Sequence, residues 1–143
     1  MELILWRHAD AEDGADDMAR RLTPQGERQA AAVAQWLQAH LPERYTVVAS
    51  PAVRAQQTAA ALGATIVTDE TLAPGASVSE IVKAAEKHKG VVLIVGHQPD
   101  LGRAAAGLVA SAASEWHIEK GAIWWLVGDA PARIKVVLPP EAL

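Results

Sequence analysis

Residues 90–97, GVVLIVGH, contain a run from Val91 to Val95 that is apolar at every position and bracketed by glycines. A strand with one wet face alternates apolar and polar side chains, whereas an unbroken apolar strand must be covered on both faces. This run constrains the fold more than any other feature, because a strand of that kind needs helices above and below it. Leu3–Trp6 repeats the pattern near the start of the chain.

The intervening segments supply the helices. Thr23-Pro24 reads as an N-cap with proline at the first helical position. Ala30, Val33, Ala34 and Leu37 then recur at helical spacing to about His40, and Pro42 closes the segment. Thr46–Ala49 reads as a second strand. Ser50-Pro51 reads as another cap pair, opening a helix from about Ala52 to Leu62 that Gly63 stops. Ala64–Val67 is a third strand, and Ser77 with Glu80 fits a capping box for a helix to about Lys89. A further helix starts at Pro99 or Asp100 and runs to about Val109. Ala122–Val127 and Arg133–Leu138 are two more strands, joined by the turn GDAP.

Strands alternating with helices predict an α/β fold: a three-layer α/β/α sandwich with a mainly parallel central sheet. The last two strands are too close in sequence for a helical crossover, so they form an antiparallel pair at or near an edge. The 143 residues suit one domain spanning 1–143.

Composition removes several kinds of chemistry. With no cysteine there is no disulfide, thiolate metal site or cysteine nucleophile, and a net charge of −4 offers no electrostatic basis for nucleic-acid binding. Val91–Val95 is far shorter than the roughly 20 apolar residues of a membrane helix. The first apolar run breaks at Arg7, too early for a signal-peptide core, so a cytoplasmic location without membrane association is expected. The oligomeric state is left open.

Ligands of open α/β sheets bind beyond the carboxyl ends of the strands. Arg7 and His8 follow the first strand, Ser50 and Arg54 the second, and His97 the run VVLIVG. Two histidines and two arginines on one rim suit a phosphoryl group, whose oxygens favour the planar donors of arginine. A neutral imidazole is a competent nucleophile towards phosphorus, and a second, protonated imidazole would stabilise the charge that develops. Each piece alone has a plainer reading as a surface pair or a turn; only their joint placement at three strand ends points to a phosphate site. Two other classes stay open: a non-enzymatic phosphate- or phosphoprotein-binding module, and a metallohydrolase using His8, His97 and Asp10. The adjacent arginines would repel a cation in the latter.

These residues also carry a resemblance. LILWRHADAE resembles the Arg-His-Gly signature of the histidine phosphatase superfamily, and RRLTPQGERQA its R-x-L-T-x-x-G-x-x-Q-A stretch. SPAVRAQQTA is similar to its S-P-x-x-R-A-x-Q-T element, and VGHQPDLG to the segment with the second histidine. All four occur in order, and the short chain with its R-x-L-T stretch is most similar to the SixA-like phosphohistidine phosphatases.

The resemblance implies that His8 is the nucleophile, phosphorylated during turnover. Arg7 and Arg54 would bind the phosphoryl oxygens, and His97 would complete the pocket. Arg20 would be a further phosphate contact, or a solvated loop arginine beside Arg21. Neither a metal nor an organic cofactor is implied, and the partner is a phosphorylated protein or a small phosphorylated metabolite.

The sequence departs from the family pattern at Ala9, where the family has glycine, and in lacking a matching general acid. Asp10, Glu12, Glu80 and Asp100 are candidates by location, each with a structural reading beside the catalytic one. His40 and His88 read as helix C-terminal residues, His117 as a surface residue, and Trp124-Trp125 as packing one ring on each sheet face.

Overall fold

The computed structural model describes residues 1–129 and 131–143. Its strands are β1 (Glu2–Arg7), β2 (Tyr45–Ala49), β3 (Ile66–Thr68), β4 (Val91–Gly96), β5 (Ile123–Val127) and β6 (Arg133–Leu138). They form one sheet in the order β3-β2-β4-β1-β5-β6. The first four lie parallel, and β5 is antiparallel to both β1 and β6. Four helices, α1 (Pro24–His40), α2 (Val53–Ala60), α3 (Val78–Glu86) and α4 (Asp100–Ala110), cover its two faces. The expected α/β/α sandwich with its antiparallel C-terminal pair is therefore present.

The unbroken apolar strands follow from this layering. Ile4, Trp6, Leu93 and Val95 pack with α1 and α2, while Leu3, Leu5, Val92 and Ile94 pack with α3 and α4. Trp125 meets Trp36 of α1 edge-on at 6.2 Å between centroids, and Trp124 lies beside Trp116 on the opposite face at 6.0 Å.

Local signals account for the helix starts. The Thr23 hydroxyl accepts from the Gly26 amide at 3.0 Å, and both bonds of the Ser77–Glu80 capping box form. Three boundaries differ most from expectation. α2 begins at Val53 with Ala52 as its N-cap, because the Ser50 hydroxyl accepts from the Ala52 amide in the turn before the helix. α3 ends at Glu86, short of Lys89, where the His88 amide bonds back to Ala85 in a tighter turn. β3 begins two residues later than expected, where Ile66 pairs with Val47. Residues 13–21, a polar stretch that carries a glycine, hold a 3-10 turn at Asp17–Ala19. The GDAP turn includes Ala130, which lies outside the described residues.

Two glycines permit close approach of elements. A Cβ at Gly26 would lie 1.9 Å from the Asp10 carbonyl oxygen, and one at Gly102 only 1.8 Å from that of Trp116. Glycine at these points lets α1 press against the segment after β1 and α4 against the segment before β5. Among the described residues no helix is long and apolar enough to cross a membrane.

Candidate active site

Strands β2, β4 and β1 are neighbours, with Arg7 paired to Gly96 and Ala49 to Val95. His8, Ser50 and His97 therefore leave the sheet side by side. The ladder continues past the strands, since the His8 amide donates to Gly96 and the Ser50 amide to Val95, each at 3.0 Å. All three are buried, as is Arg54 in the first turn of α2.

A hydrogen bond assigns the His8 tautomer. His8 Nδ1 lies 2.7 Å from the Ala9 carbonyl, which only accepts, so Nδ1 carries the proton. Nε2 keeps its lone pair, and Arg54 Nε–H points at it from 3.4 Å. Ser50 Oγ accepts from the Ala52 amide and shares a hydrogen bond with His97 Nε2 at 2.8 Å. His97 Nδ1 and Arg7 Nε are the two buried side-chain polar atoms without a partner among the described residues. The two imidazole centroids are 5.2 Å apart.

The arginines are held from behind. Arg7 Nη1 donates to the Ile118 carbonyl at 2.8 Å. Arg54 Nη1 donates to the Asp17 carbonyl at 2.6 Å and Nη2 to its carboxylate at 3.2 Å. That carboxylate also accepts from Arg20 Nη1 at 3.1 Å, while Arg20 Nε donates to the Glu12 carbonyl. Arg20 thus reaches the site through Asp17. Thr58 Oγ1 donates to the Arg54 carbonyl and accepts from the Ala9 amide, tying α2 to the segment after His8.

Burial and cationic neighbours set the proton affinities. Desolvation pulls the His8 pKa down to about 4; the bond to Ala9 opposes this, and Arg54, Arg7 and Arg20 reinforce it. His97 falls to about 3, chiefly through burial and then through His8 and Arg54. The protonated second imidazole expected from the sequence is therefore neutral in the free site. Asp17 is held below the usual carboxylate range, first by Arg20 and then by Arg54.

Residues 3–74, half of the chain, match the family model of the histidine phosphatase superfamily (branch 1). The chain belongs to this superfamily. An uncharacterised protein of Picosynechococcus sp. is 37% identical over 120 residues, covering 76% of this chain and 73% of that protein. One of Mycobacterium tuberculosis is 39% identical over 100 residues, covering 65% of this chain and 63% of its own length. Among solved structures, a provisionally assigned phosphohistidine phosphatase SixA from Nakamurella multipartitia has a TM-score of 0.83 at 33% identity, over 96% of this chain and 95% of that one. The protein histidine phosphatase SixA complexed with tungstate shares the fold with a TM-score of 0.85 at 24% identity, each chain covered to 99%. Membership of the histidine phosphatase superfamily supports phosphatase activity.

Against the superfamily pattern, Ala9 causes no backbone conflict. It is not at positive φ, the one described non-glycine residue there being Ser111, and its methyl packs with Leu22 and Ala30. The four carboxylates weighed as general acids are otherwise engaged or exposed. Asp100 accepts from the Gly75 and Ala76 amides, and Glu80 completes its capping box. Asp10 is bonded to Thr23 and paired with Lys120, and Glu12 is exposed. Among the described residues no three or more His, Asp or Glu side chains gather as a metal site.

Sequence reasoning missed Asp17 and gave Thr58 no role. It read Ser50 as a helix cap, whereas its hydroxyl orients His97. The one available signal for Asp17 was its place three residues before Arg20, a spacing at which opposite charges meet within a turn.

Proposed function

We propose that this member of the superfamily is a phosphohistidine phosphatase with His8 as nucleophile and Arg7, Arg54 and His97 as the phosphoryl-binding groups. The observation that carries this reading is the neutral His8. Its Nε2 lone pair faces the Arg54 guanidinium, and two buried nitrogens nearby, Arg7 Nε and His97 Nδ1, have no partner among the described residues. An arginine edge and unpaired buried nitrogens around a nucleophile fit a polar, anionic ligand that would satisfy them.

His8 Nε2 attacks phosphorus in line. The bond from phosphorus to the substrate imidazole breaks as the bond to Nε2 forms; with the substrate ring protonated at its other nitrogen, the electron pair leaves on a neutral imidazole. Nδ1–H, held on the Ala9 carbonyl, stabilises the positive charge that the ring acquires. Water then attacks the phosphohistidine, releasing phosphate and restoring the lone pair. Arg7, Arg54 and His97 neutralise the transferring oxygens in both steps. That Asp10, Glu80 and Asp100 are engaged and Glu12 is exposed suits a P–N bond, which breaks more readily than an alkyl phosphate ester. The SixA likeness at 33% identity supports the same substrate class.

The test is incubation with a phosphohistidine protein carrying labelled phosphate. The wild-type protein acquires acid-labile, base-stable label, and His8→Ala acquires none and does not turn over. Turnover without label overturns the nucleophile assignment. Equal rates on simple alkyl phosphates overturn the substrate class. Phosphoprotein binding without any turnover by the wild type would make the chain a binding module.

A further inference from the structure

His8, Ala9 and Asp10 lie beyond the end of β1, where the sheet serves only part of their backbone. Every N–H and C=O of the three is nevertheless paired, as buried backbone requires. The His8 amide continues the ladder to Gly96, the His8 carbonyl accepts from Gly121, and the Asp10 carbonyl accepts from Thr23. The Ala9 amide goes to Thr58, the Ala9 carbonyl to the His8 ring, and the Asp10 amide to Gln29 of α1.

The last two bonds share one peptide unit. The Ala9 carbonyl and the Asp10 amide are the two ends of a single plane. Gln29 Oε1 accepts from its N–H at 2.9 Å, and its C=O accepts from His8 Nδ1–H at 2.7 Å. Because the Asp10 amide can only donate, the oxygen of Gln29 must be the atom that faces it. Holding one end of a rigid plane fixes the direction of the other. Hydrogen bonds in series also polarise one another, so the bond to Gln29 makes Ala9 a stronger acceptor.

Gln29 reaches this peptide because of Gly26. A Cβ at Gly26 would collide with the Asp10 carbonyl, so glycine there lets α1 come against the segment. Gln29, three residues on, lies on the same face of the helix. Thr23 holds the other side, with its hydroxyl on the Asp10 carboxylate at 2.8 Å.

We propose that Gln29 is a positioning residue for the nucleophile: through the Ala9–Asp10 peptide it keeps the proton on His8 Nδ1 and the Nε2 lone pair aimed into the site. The inference rests on the reading of His8 as nucleophile and adds the outer group that orients it.

Gln29→Met keeps the length of the side chain and removes its oxygen, whereas Gln29→Glu keeps an oxygen acceptor. Phosphoramidate hydrolysis is measured for both at steady state. The ring-nitrogen NMR shifts of His8, which report where its proton sits, are recorded at pH ~7, where the ring is neutral, and assigned by their loss in His8→Ala. Gln29→Met is expected to lower kcat about tenfold with KM little changed, and to move the His8 signals from the Nδ1–H form towards a mixture of tautomers. Gln29→Glu is expected to recover most of the lost kcat and the wild-type signals. Unmoved ring signals in Gln29→Met overturn the role, as does an equal loss of kcat in both variants. A wild type that leaves phosphoramidate intact, while Gln29→Met still moves the His8 signals, overturns the nucleophile reading and leaves the positioning role standing.

Discussion

Arg54 shows how one guanidinium serves two neighbours. Its terminal fork, Nη1 and Nη2, is taken by the carbonyl and carboxylate of Asp17, while the edge carrying Nε faces His8. A fork held at its end keeps its side edge aimed, and rate falls steeply when reacting groups are misplaced. Asp17→Ala is expected to lower kcat roughly tenfold with a smaller change in KM. Asp17→Asn, which keeps an acceptor, should lie between the two in steady-state assays; unchanged kcat in both variants would refute the clamp. Arg7, His8, Arg54 and His97 were legible because strand ends and motif spacing singled them out. Asp17 was not: one aspartate in the polar stretch DGADDMAR looks like any loop charge, and its partner lies 37 residues away. Long-range pairing of that kind is made by the fold and leaves no local trace.

At the scale of elements, the signals that read true were those a segment carries within itself. Thr23-Pro24, the Ser77–Glu80 box and the apolar run of β4 each satisfy their own backbone or faces. The start of α2 misled because the Ser50 hydroxyl serves His97 as well as a local amide. The short β3 has little burial to mark its ends. Contact between elements was equally invisible, as Gly102 shows. Replacing a helical glycine by alanine ordinarily gains about 1 kcal/mol. Here the new Cβ would sit 1.8 Å from the Trp116 carbonyl, so the backbone has to move, a cost of about 1–3 kcal/mol or more. The clash outweighs the propensity, and Gly102→Ala is expected to lower the urea midpoint. A raised midpoint would mean that the segment before β5 yields freely.

The whole molecule feels its two buried imidazoles through pH. His8 and His97 have folded-state values of about 4 and 3, below the roughly 6.5 of an unfolded histidine. Between those limits the unfolded chain takes up protons that the folded one refuses. Their contribution is complete above pH ~6.5 and is lost as pH falls towards 4 and then 3. By pH ~4.5 each costs on the order of 2 kcal/mol. Thermal unfolding should show Tm falling steadily from pH ~7 to ~4.5, with a shallower slope in His97→Asn. The acid limb of kcat/KM, set by the free nucleophile, should lie near 4 rather than 6.5. A limb at 6.5 would contradict the buried, neutral His8.

The proposed catalytic groups lie at or just beyond the ends of β1 and β4 and in the helix that follows β2, three strands side by side, while the edges belong to β3 and β6. Fluctuations that fray a sheet begin at its edges, and central strands exchange their amide protons only on the largest openings. Amides of residues 5–8 and 93–96 should therefore exchange among the slowest in the chain. An edge can open and close without disturbing the histidines, and the opening that parts them is the one that unfolds the sheet.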